Sequence, residues 1–539
     1  MQADLVLFNG RIHTLDAGQP HARAVAIAGN QILAVGDDDA LRPLLRPGGQ
    51  AVDLGGRAVL PGLIDAHVHF GWYSLAVYQN QVDLDNVPTK KEAVARVAEA
   101  ARRTPPGGWV RGGGWNKNVW PAPEFPTAAD LDAVAPDHPV VLADKSRHAV
   151  WANSRALALA GISATSEDPP GGGIVRDAAG RPTGILLETA EEFIYSVIPE
   201  PGVDTFVEAL RGGIVEAQRL GLTGFHDPGH PKVLAALQVL RARGELGLRA
   251  LVHIPTEQLG AAIELGLRSG LGDEWLRIGG VKLFADGALG PQTAHMLAPY
   301  EGTTDNMGIP THSAEQLDDL VHRAREAGIS ATVHAIGDAA NRAVLDAIKK
   351  AHGTSRKAQA PSLPDRIEHV QLLHPADVPR LAQLGVVASM QPIHATSDME
   401  MAERHWGRRC ELAYAWRSVL NSGAVLAFGS DCPIETLDPL AGIHAAVTRR
   451  HADGRPGAEG WIPAQRLTVA EAVHAYTLGA AHASGEAHLK GSIVPGKLAD
   501  LVVLSQDIFE VEPGAILDTH VMMTLVDGQV VYRSVEADG

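Results

Sequence analysis

Two histidines stand one residue apart at the end of an apolar segment, in the stretch "LPGLIDAHVHF" from Leu60 to Phe70. Side chains two positions apart on a β-strand point to the same face, so His67 and His69 direct both imidazoles to one place. A buried polar group without a partner is costly, and this pattern therefore predicts something at that place that satisfies both rings. From these residues alone, a pair of surface histidines on an edge strand is the alternative.

From about residue 205 onward, apolar strand-like segments alternate with amphipathic helical segments such as 314–327 and 341–352. Such alternation predicts parallel strands joined by right-handed crossovers. Seven segments and the strand that ends at His67 make eight, the number in a (β/α)8 TIM barrel, whose chemistry lies at the C-terminal ends of the strands. The seven segments are "LTGFHDPG", "RALVHI", "IGGVKLFADG", "ISATVHAIGD", "DRIEHVQLL", "GVVASMQPIH" and "AVLAFGSDCP".

Polar residues follow the ends of these predicted strands, so they meet at one end of the barrel. Imidazole and carboxylate groups suit zinc and other borderline divalent metals. A single histidine at such a position is more typical of a satisfied core residue, but several at corresponding strand ends favour a metal site. The converging residues are His67 and His69 from strand 1, Lys282 from strand 4, His334 from strand 5, His369 from strand 6 and Asp431 from strand 8.

Short strands occupy both ends of the chain. Hairpin turns are predicted at Gly29-Asn30 and at Asp527-Gly528. Neither end has enough strand to bury a sheet alone, so we expect one small β domain built from both ends. We place this composite β-sandwich domain at residues 1–60 with 487–539, and the barrel at residues 61–486.

One long segment separates barrel strand 1 from strand 2. Residues 71–198 exceed what a crossover needs, and their glycines, turns and short strands predict an inserted α+β subdomain. Because this insert leaves strand 1 at its C-terminal end, we expect it to cover the barrel mouth.

Composition restricts the class of protein. The chain has 539 residues, a net charge of −17 and no basic cluster, which argues against a nucleic-acid partner. No run of about 18 apolar residues predicts a membrane span, and the first residues do not resemble a signal peptide. The two cysteines are too few for a disulfide framework and fit a reducing cytoplasm, where we expect the protein. The 24 histidines suit a metalloprotein. The sequence does not decide whether the protein forms a homodimer.

Over nearly its whole length the sequence resembles the amidohydrolase superfamily, specifically the amidohydrolase family 3 (YtcJ-like) group that includes N-substituted formamide deformylases. The resemblance implies a metal-centred barrel beside a small composite β domain, while most members of the group have no assigned substrate. It rests on "LPGLIDAHVHF", "RGGGWN", "SRHAVWANSRAL", "GGGIVRD", "GVKLFADGALG", "HAIGD", "RIEHVQ", "ASMQPIH" and "GSDCPIETLDP".

The resemblance also implies a role for each converging residue. In related enzymes the strand-4 lysine reacts with carbon dioxide, and the resulting carbamate bridges two metals; some relatives use a single metal. The alternative is that Lys282 forms an ion pair with Asp286. His67, His69 and Asp431 would hold the more buried metal, His334 and His369 the more exposed one, and carbamylated Lys282 would bridge them.

These roles predict hydrolysis at a carbonyl group. A metal-bound hydroxide would attack the carbonyl, and Asp431 would take up the proton and deliver it to the leaving nitrogen. Cleavage of a C–N bond in an amide, N-formyl or N-acyl amine is the first expectation, with carbamates, cyclic amides and esters as alternatives. One alternative is a mononuclear deaminase of a heterocycle or related amine, which would use a carboxylate such as Asp338. Another is a non-enzymatic binding protein, which would result if the metal ligands were not all functional.

The substrate pocket is predicted from the insert and from two strand ends. An arginine and two indoles suggest a small molecule with a polar group beside an aromatic or apolar body. The alternative is that the tryptophans only join the insert to the barrel. The predicted pocket residues are Trp115, Asn116, Arg147, His148, Trp151, Asp286 and His394.

Overall fold

The structure is a computed structural model that describes residues 2–78, 81–85, 87–145, 149–169, 172–290, 292–354 and 361–535. The chain divides into two compact units. Residues 1–73 and 213–539 form the first unit, and residues 74–212 form the second. Arg147 and His148 lie outside the described residues, so the prediction that they line a pocket stays a prediction.

Eight parallel strands form the barrel, and each pairs with its neighbours in chain order. The Ala66 N–H donates to the Phe428 carbonyl at 2.9 Å and joins the last strand to the first. The predicted TIM barrel is therefore confirmed, with every predicted strand present. We number the strands β1 (Leu63–Asp65), β2 (Leu222–Asp227), β3 (Arg249–Pro255), β4 (Leu276–Phe284), β5 (Ala331–Ala335), β6 (Arg366–His369), β7 (Val387–Met390) and β8 (Leu426–Phe428).

Helices surround the barrel and bury one face against it. Ser313 caps the helix after β4 by accepting the Gln316 N–H, while the Gln316 side chain accepts the Ser313 N–H. No helix among the described residues is long and apolar enough to cross a membrane. The helices outside the second unit, or partly outside it, are Asp38–Leu41, Phe70–Tyr78, Val203–Arg219, Pro231–Arg243, Leu259–Glu264, Ala314–Glu326, Asp338–Thr354, Val378–Leu384, Pro392–Trp406, Trp416–Asn421, Pro439–Thr448, Val469–His474 and Ala480–Ala483.

Of two further β-sheets, one consists of N-terminal strands only, and the other combines strands from both chain ends. Strand Leu501–Leu504 pairs antiparallel with Ala58–Pro61, and apolar residues from both ends share one core. Hairpins turn at residues 29–30 and 527–528, where they were predicted. In sheet order the strands are Gln31–Gly36, Ala24–Ala28, Ala3–Phe8 and Leu45–Asp53 in one sheet, and Gln529–Arg533, Val521–Val526, Leu501–Leu504, Ala58–Pro61, Arg11–His13 and His21–Ala22 in the other.

The second unit contains a mixed six-stranded sheet with short helices, in keeping with an α+β insert. Its position over the barrel mouth and the exact domain boundaries stay predictions. In sheet order its strands are Gly172–Arg176, Pro182–Glu188, Ala149–Ala152, Val140–Asp144, Val110–Trp115 and Val82–Asp83, and its helices are Lys90–Arg103, Ala128–Asp132, Ser154–Leu159 and Glu192–Tyr195.

Candidate metal centre

The junction between β1 and β8 positions three of the predicted ligands. Asp65 Oδ1 accepts the N–H groups of His67 and Ser430, both at 3.0 Å, and the Asp431 N–H donates to the His67 carbonyl at 2.7 Å. A Cβ atom at Gly429 would lie 2.4 Å from His67 N, so only glycine allows the two segments to approach this closely. Burial raises the pKa of Asp65 to about 7. Sequence reasoning gave Asp65 no role.

His67, His69 and Asp431 converge in one cluster. Their ligand atoms lie within 4.8 Å of one another, and Asp431 Oδ1 lies 3.3 Å from His67 Nε2 and 3.4 Å from His69 Nε2. Asp431 has a φ of +59°, a conformation that non-glycine residues rarely adopt and that is concentrated at functional sites. The backbone is therefore strained where it presents this carboxylate.

A second cluster shares the same carboxylate. The ligand atoms of His369, His394 and Asp431 also lie within 4.8 Å of one another, and His394 Nε2 lies 3.1 Å from Asp431 Oδ2. His369 also has a left-handed φ, of +75°. The ring of His334 lies beside it, with centroids 4.6 Å apart. His394, which was predicted to contact substrate, lies among the predicted metal ligands.

Hydrogen bonds identify which nitrogen of two imidazoles faces the cluster. His334 Nε2 lies 2.9 Å from the Gly287 carbonyl, and His369 Nδ1 lies 2.8 Å from Gln391 Oε1. Both partners are acceptors, so these nitrogens carry the protons. The lone pairs of His334 Nδ1 and His369 Nε2 remain for a metal, as in sites where an outer partner fixes the tautomer.

Lys282 is buried near these side chains, with 4% of its surface exposed. Its Nζ lies 4.9 Å from the ring centroid of Phe284, whose ring is 5.2 Å from that of His334. Burial lowers the pKa of Lys282 to about 8, although the carboxylates of Glu368 and Asp431 oppose the shift. The neutral form of this amine is therefore a minority near physiological pH, but a larger one than for an exposed lysine.

Asp286 is held by the backbone. Its carboxylate accepts the N–H groups of His295 at 2.8 Å, Ile336 at 3.0 Å and Gly337 at 2.8 Å. Burial raises the pKa of Asp286 to about 7. Among the ion pairs of the described residues, none joins Asp286 to Lys282. Asp286 therefore fixes the loops after β4 and β5.

Asp338 is the carboxylate on which the deaminase alternative depends. It is the first residue of helix Asp338–Thr354, and its Oδ1 accepts the Leu297 N–H at 2.8 Å. Only 5% of its surface is exposed. Its observed contact is thus structural.

Two charged residues of β6, which sequence reasoning left without a role, lie behind the first cluster. Glu368 is completely buried, with Oε2 2.8 Å from His67 Nδ1 and Oε1 2.6 Å from Arg366 Nε. The signal available in the sequence is "RIEH", in which two charges alternate with apolar Ile367 on a barrel strand. Charged residues at such positions are rarely buried unless they are paired.

The side chains present fit a divalent cation. Imidazole nitrogens and a carboxylate are the donors that zinc and similar metals bind. Among the described residues, His67 Nε2 is a buried polar atom that makes no hydrogen bond of good geometry, as expected for a lone pair that faces a cation. The position of the donors at the C-terminal ends of the barrel strands is that of TIM-barrel active sites.

Comparison with known proteins agrees with this geometry. Residues 50–532 match the protein family described as "Amidohydrolase family". The chain belongs to the amidohydrolase family. The resemblance identified from the sequence motifs is thus confirmed.

Individual members of the amidohydrolase family match over almost the full length. YtcJ of Bacillus subtilis (strain 168) is 34% identical over 97% of this chain and 98% of its own. N-substituted formamide deformylase of Arthrobacter pascens is 32% identical over 98% of each chain. The solved structure of a metal-dependent hydrolase from Pyrococcus horikoshii OT3, titled uncharacterized, is 28% identical with a TM-score of 0.79, covering 95% of this chain and 99% of that one. The protein is therefore a hydrolytic enzyme, and the alternative of a non-enzymatic binding protein is set aside.

The predicted pocket residues of this amidohydrolase's insert have contacts within the insert itself. Trp115 and Trp151 are 2% and 0% exposed, and their rings, with centroids 6.2 Å apart, belong to the insert's hydrophobic core. Their Nε1 atoms donate to the carbonyls of Leu142 and Thr127, both at 2.8 Å. Trp115 and Asn116 line a cavity of about 280 Å³ within the insert. The indoles stabilise the insert, and their predicted role in a substrate pocket stays a prediction.

Proposed function

We propose that this enzyme hydrolyses a carbonyl C–N bond in an amide, N-formyl amine or N-acyl amine, with one or two divalent cations, zinc first, as its cofactor. Two independent features support the proposal. The donor set at the barrel mouth suits zinc, and the relative that is 32% identical over nearly the whole chain is named N-substituted formamide deformylase. The substrate is a small molecule in this proposal.

The proposed ligands follow from donor type and position. His67, His69 and Asp431 would hold one cation, and His334 and His369 would hold the second where two are bound. Lys282, as a carbamate, would supply oxygen ligands. Its burial supports this role, since only a neutral amine attacks carbon dioxide and burial favours the neutral form.

A bound divalent cation would polarise the substrate carbonyl and lower the pKa of a coordinated water toward neutrality. The protein must then move a proton. An amine leaves an amide only after its nitrogen is protonated, so a group that takes a proton from water and returns it to nitrogen is required, and Asp431 is the proposed group.

The two oxygens of the Asp431 carboxylate have different neighbours, and this observation carries the proposal. Oδ1 faces His67 and His69, while Oδ2 lies 3.1 Å from His394 Nε2. Burial opposes the charged form of His394, but the Asp431 carboxylate outweighs it and raises the pKa of His394 to about 9. A cationic His394 would orient Asp431 and keep this carboxylate ionised, the form that can take a proton from water.

The test is a panel of N-formyl amines, N-acyl amines, carbamates, cyclic amides and esters, with aryl, alkyl and carboxylate-bearing members. We expect release of an amine from at least one amide, and Asp431→Asn should lower that rate by about 10²- to 10⁴-fold, the usual contribution of general acid–base catalysis.

Asp365→Asn is the matched control for this panel. Asp365 is also a buried barrel aspartate, but it binds the Ala331 N–H and His352 at the N-terminal ends of β5 and β6. The rate of amide hydrolysis per folded molecule of Asp365→Asn should stay near that of the wild type. Heterocyclic amines are tested alongside the panel, and release of ammonia from one of them without cleavage of any amide would favour the deaminase instead.

A further inference from the structure

A buried ion pair lies in the barrel interior next to the predicted metal ligands. Arg366 and Glu368 are 1% and 0% exposed, and Arg366 Nε lies 2.6 Å from Glu368 Oε1. Residues two apart on a strand share a face, so β6 directs both side chains to the same side. Burying two charges costs free energy that their attraction does not reliably return, so stability alone gives little reason for the pair.

Glu368 contacts a predicted ligand directly. Its Oε2 lies 2.8 Å from His67 Nδ1. A nitrogen lone pair at that distance from a carboxylate oxygen would be repelled, so Nδ1 carries the proton. With Nδ1 protonated, His67 Nε2 can present its lone pair to a cation, and a cation held between Nε2 and Asp431 Oδ1, which lie 3.3 Å apart, would remove the repulsion between them.

Arg366 fixes Glu368 in this position. Its guanidinium donates to Ser389 Oγ at 2.7 Å and to the Ala66 carbonyl at 2.5 Å, and Nη1 lies 3.0 Å from His226 Nδ1. These partners belong to β7, β2 and the end of β1. The Glu368 carboxylate is thus paired with a cation on its own strand, and that cation binds β7, β2 and the end of β1.

We propose that Glu368, anchored by Arg366, is the positioning residue that holds His67 in its metal-binding tautomer and strengthens its bond to the cation. A carboxylate on the far nitrogen fixes the ring and makes the near nitrogen a better donor. The inference rests on the metal-binding part of the proposed function and is independent of the substrate.

The experiment compares the affinity of the full-length apoenzyme for Zn²⁺ with that of Glu368→Gln, by competition against a chromophoric chelator. We expect the substitution to weaken binding by about 10- to 100-fold, the range seen when a carboxylate behind a metal-bound histidine is removed. The absorption spectrum of the Co²⁺-substituted protein should shift as well, because the ligand field at His67 changes. Glu368→Asp should recover part of the affinity.

Glu486→Gln is the matched control. Glu486 is also a buried, paired carboxylate, 2.8 Å from Lys490 Nζ and 3.4 Å from Arg277 Nη1, but it contacts none of the predicted ligands. Both variants should lose thermal stability in the apo form, and only Glu368→Gln should lose affinity for Zn²⁺. Equal Zn²⁺ affinity in all three proteins would overturn the inference. A wild type that binds no metal would instead refute the proposed function.

A second measurement needs no variant and decides the matter where Glu368→Gln does not fold. Neutron diffraction from wild-type holoenzyme crystals locates deuterium on the His67 ring. We expect it on Nδ1, facing Glu368. Deuterium on Nε2, or a deuterated Glu368 carboxyl beside a bare Nδ1, would contradict the inference.

Discussion

At the candidate metal centre, burial changes the protonation equilibrium of individual side chains. Lys282 is an example, because removal from water lowers its pKa to about 8 while the neighbouring carboxylates Glu368 and Asp431 keep it from falling further. An amine of this kind is neutral often enough to react with carbon dioxide. The imidazoles of predicted metal ligands lie nearby. Once cations occupy their lone pairs, these rings would not repel the oxygens of a carbamate at Lys282.

Lys282→Ala tests this role. We expect activity on the cleaved amide to fall strongly, and to return in part when a short carboxylic acid such as acetate or propionate is supplied. The added carboxylate fits the space left by the side chain and provides two oxygens. Activity is measured across a series of acid concentrations, with bicarbonate present.

Lys490→Ala provides the comparison for this prediction. Lys490 is equally buried, with 5% exposed, but pairs with Glu486 at 2.8 Å. Acetate should not rescue any loss in this variant. An undiminished rate in Lys282→Ala would show that the lysine has a structural role only.

Residue types and strand ends were sufficient to predict which side chains meet at the barrel mouth, but not how each is held. His394 was assigned to substrate because it follows strand 7, and its contact with Asp431 Oδ2 depends on the loop path. Glu368 and Arg366 lie inside the barrel, where the register of β6 against β1 and β7 decides their partners. Trp115 was assigned to the pocket because it lies in a distinctive stretch of the insert, and its burial, which depends on the packing of the insert, could not be derived from that stretch.

At the scale of elements, a buried cation connects the barrel to the β domain. Arg249 at the start of β3 makes a two-point contact with Asp500, at 2.6 and 2.9 Å, and its Nη2 also lies 3.0 Å from Asp527 Oδ1. Asp500 precedes strand Leu501–Leu504, and Asp527 lies in the adjacent hairpin turn. The arginine is 2% exposed, so its two carboxylates would be left without their cation if it were removed.

Arg249→Leu should therefore destabilise the protein by about 3–5 kcal/mol, the range for breaking a buried ion pair from one side. Chemical denaturation followed by circular dichroism measures the change. The reason is that Asp500 stays buried while losing both contacts to the guanidinium.

Arg241→Leu is the control for this prediction. Arg241 also stacks near Trp275, at 5.9 Å against 4.8 Å for Arg249, and its Nη2 lies 2.7 Å from Asp273. Its pair is exposed, so the cost should be about 0–1 kcal/mol. Similar losses for the two variants would contradict the role given to the buried pair.

Over the whole molecule, the alternation of strands and helices predicted the barrel, and the shortage of strands at each end predicted that the ends meet. Strand Leu501–Leu504 pairs with Ala58–Pro61, residues more than four hundred positions away in the chain. The alternation succeeds because each barrel strand must be buried on both faces. The path of the insert could not be derived in the same way, because its six strands pair in an order that no local pattern specifies.

Side chains from several strands of this barrel are proposed to hold a divalent cation. Elemental analysis of the enzyme, purified without chelators, measures whether that cation is present. We expect at least one transition-metal ion per chain, with zinc as the first candidate. Chelation should lower the melting temperature and added Zn²⁺ should restore the original value, because a ligand that binds the folded state stabilises that state. His67→Ala should reduce the metal content. Protein with far less than one transition-metal ion per chain, and a melting temperature that chelation leaves unchanged, would contradict the account.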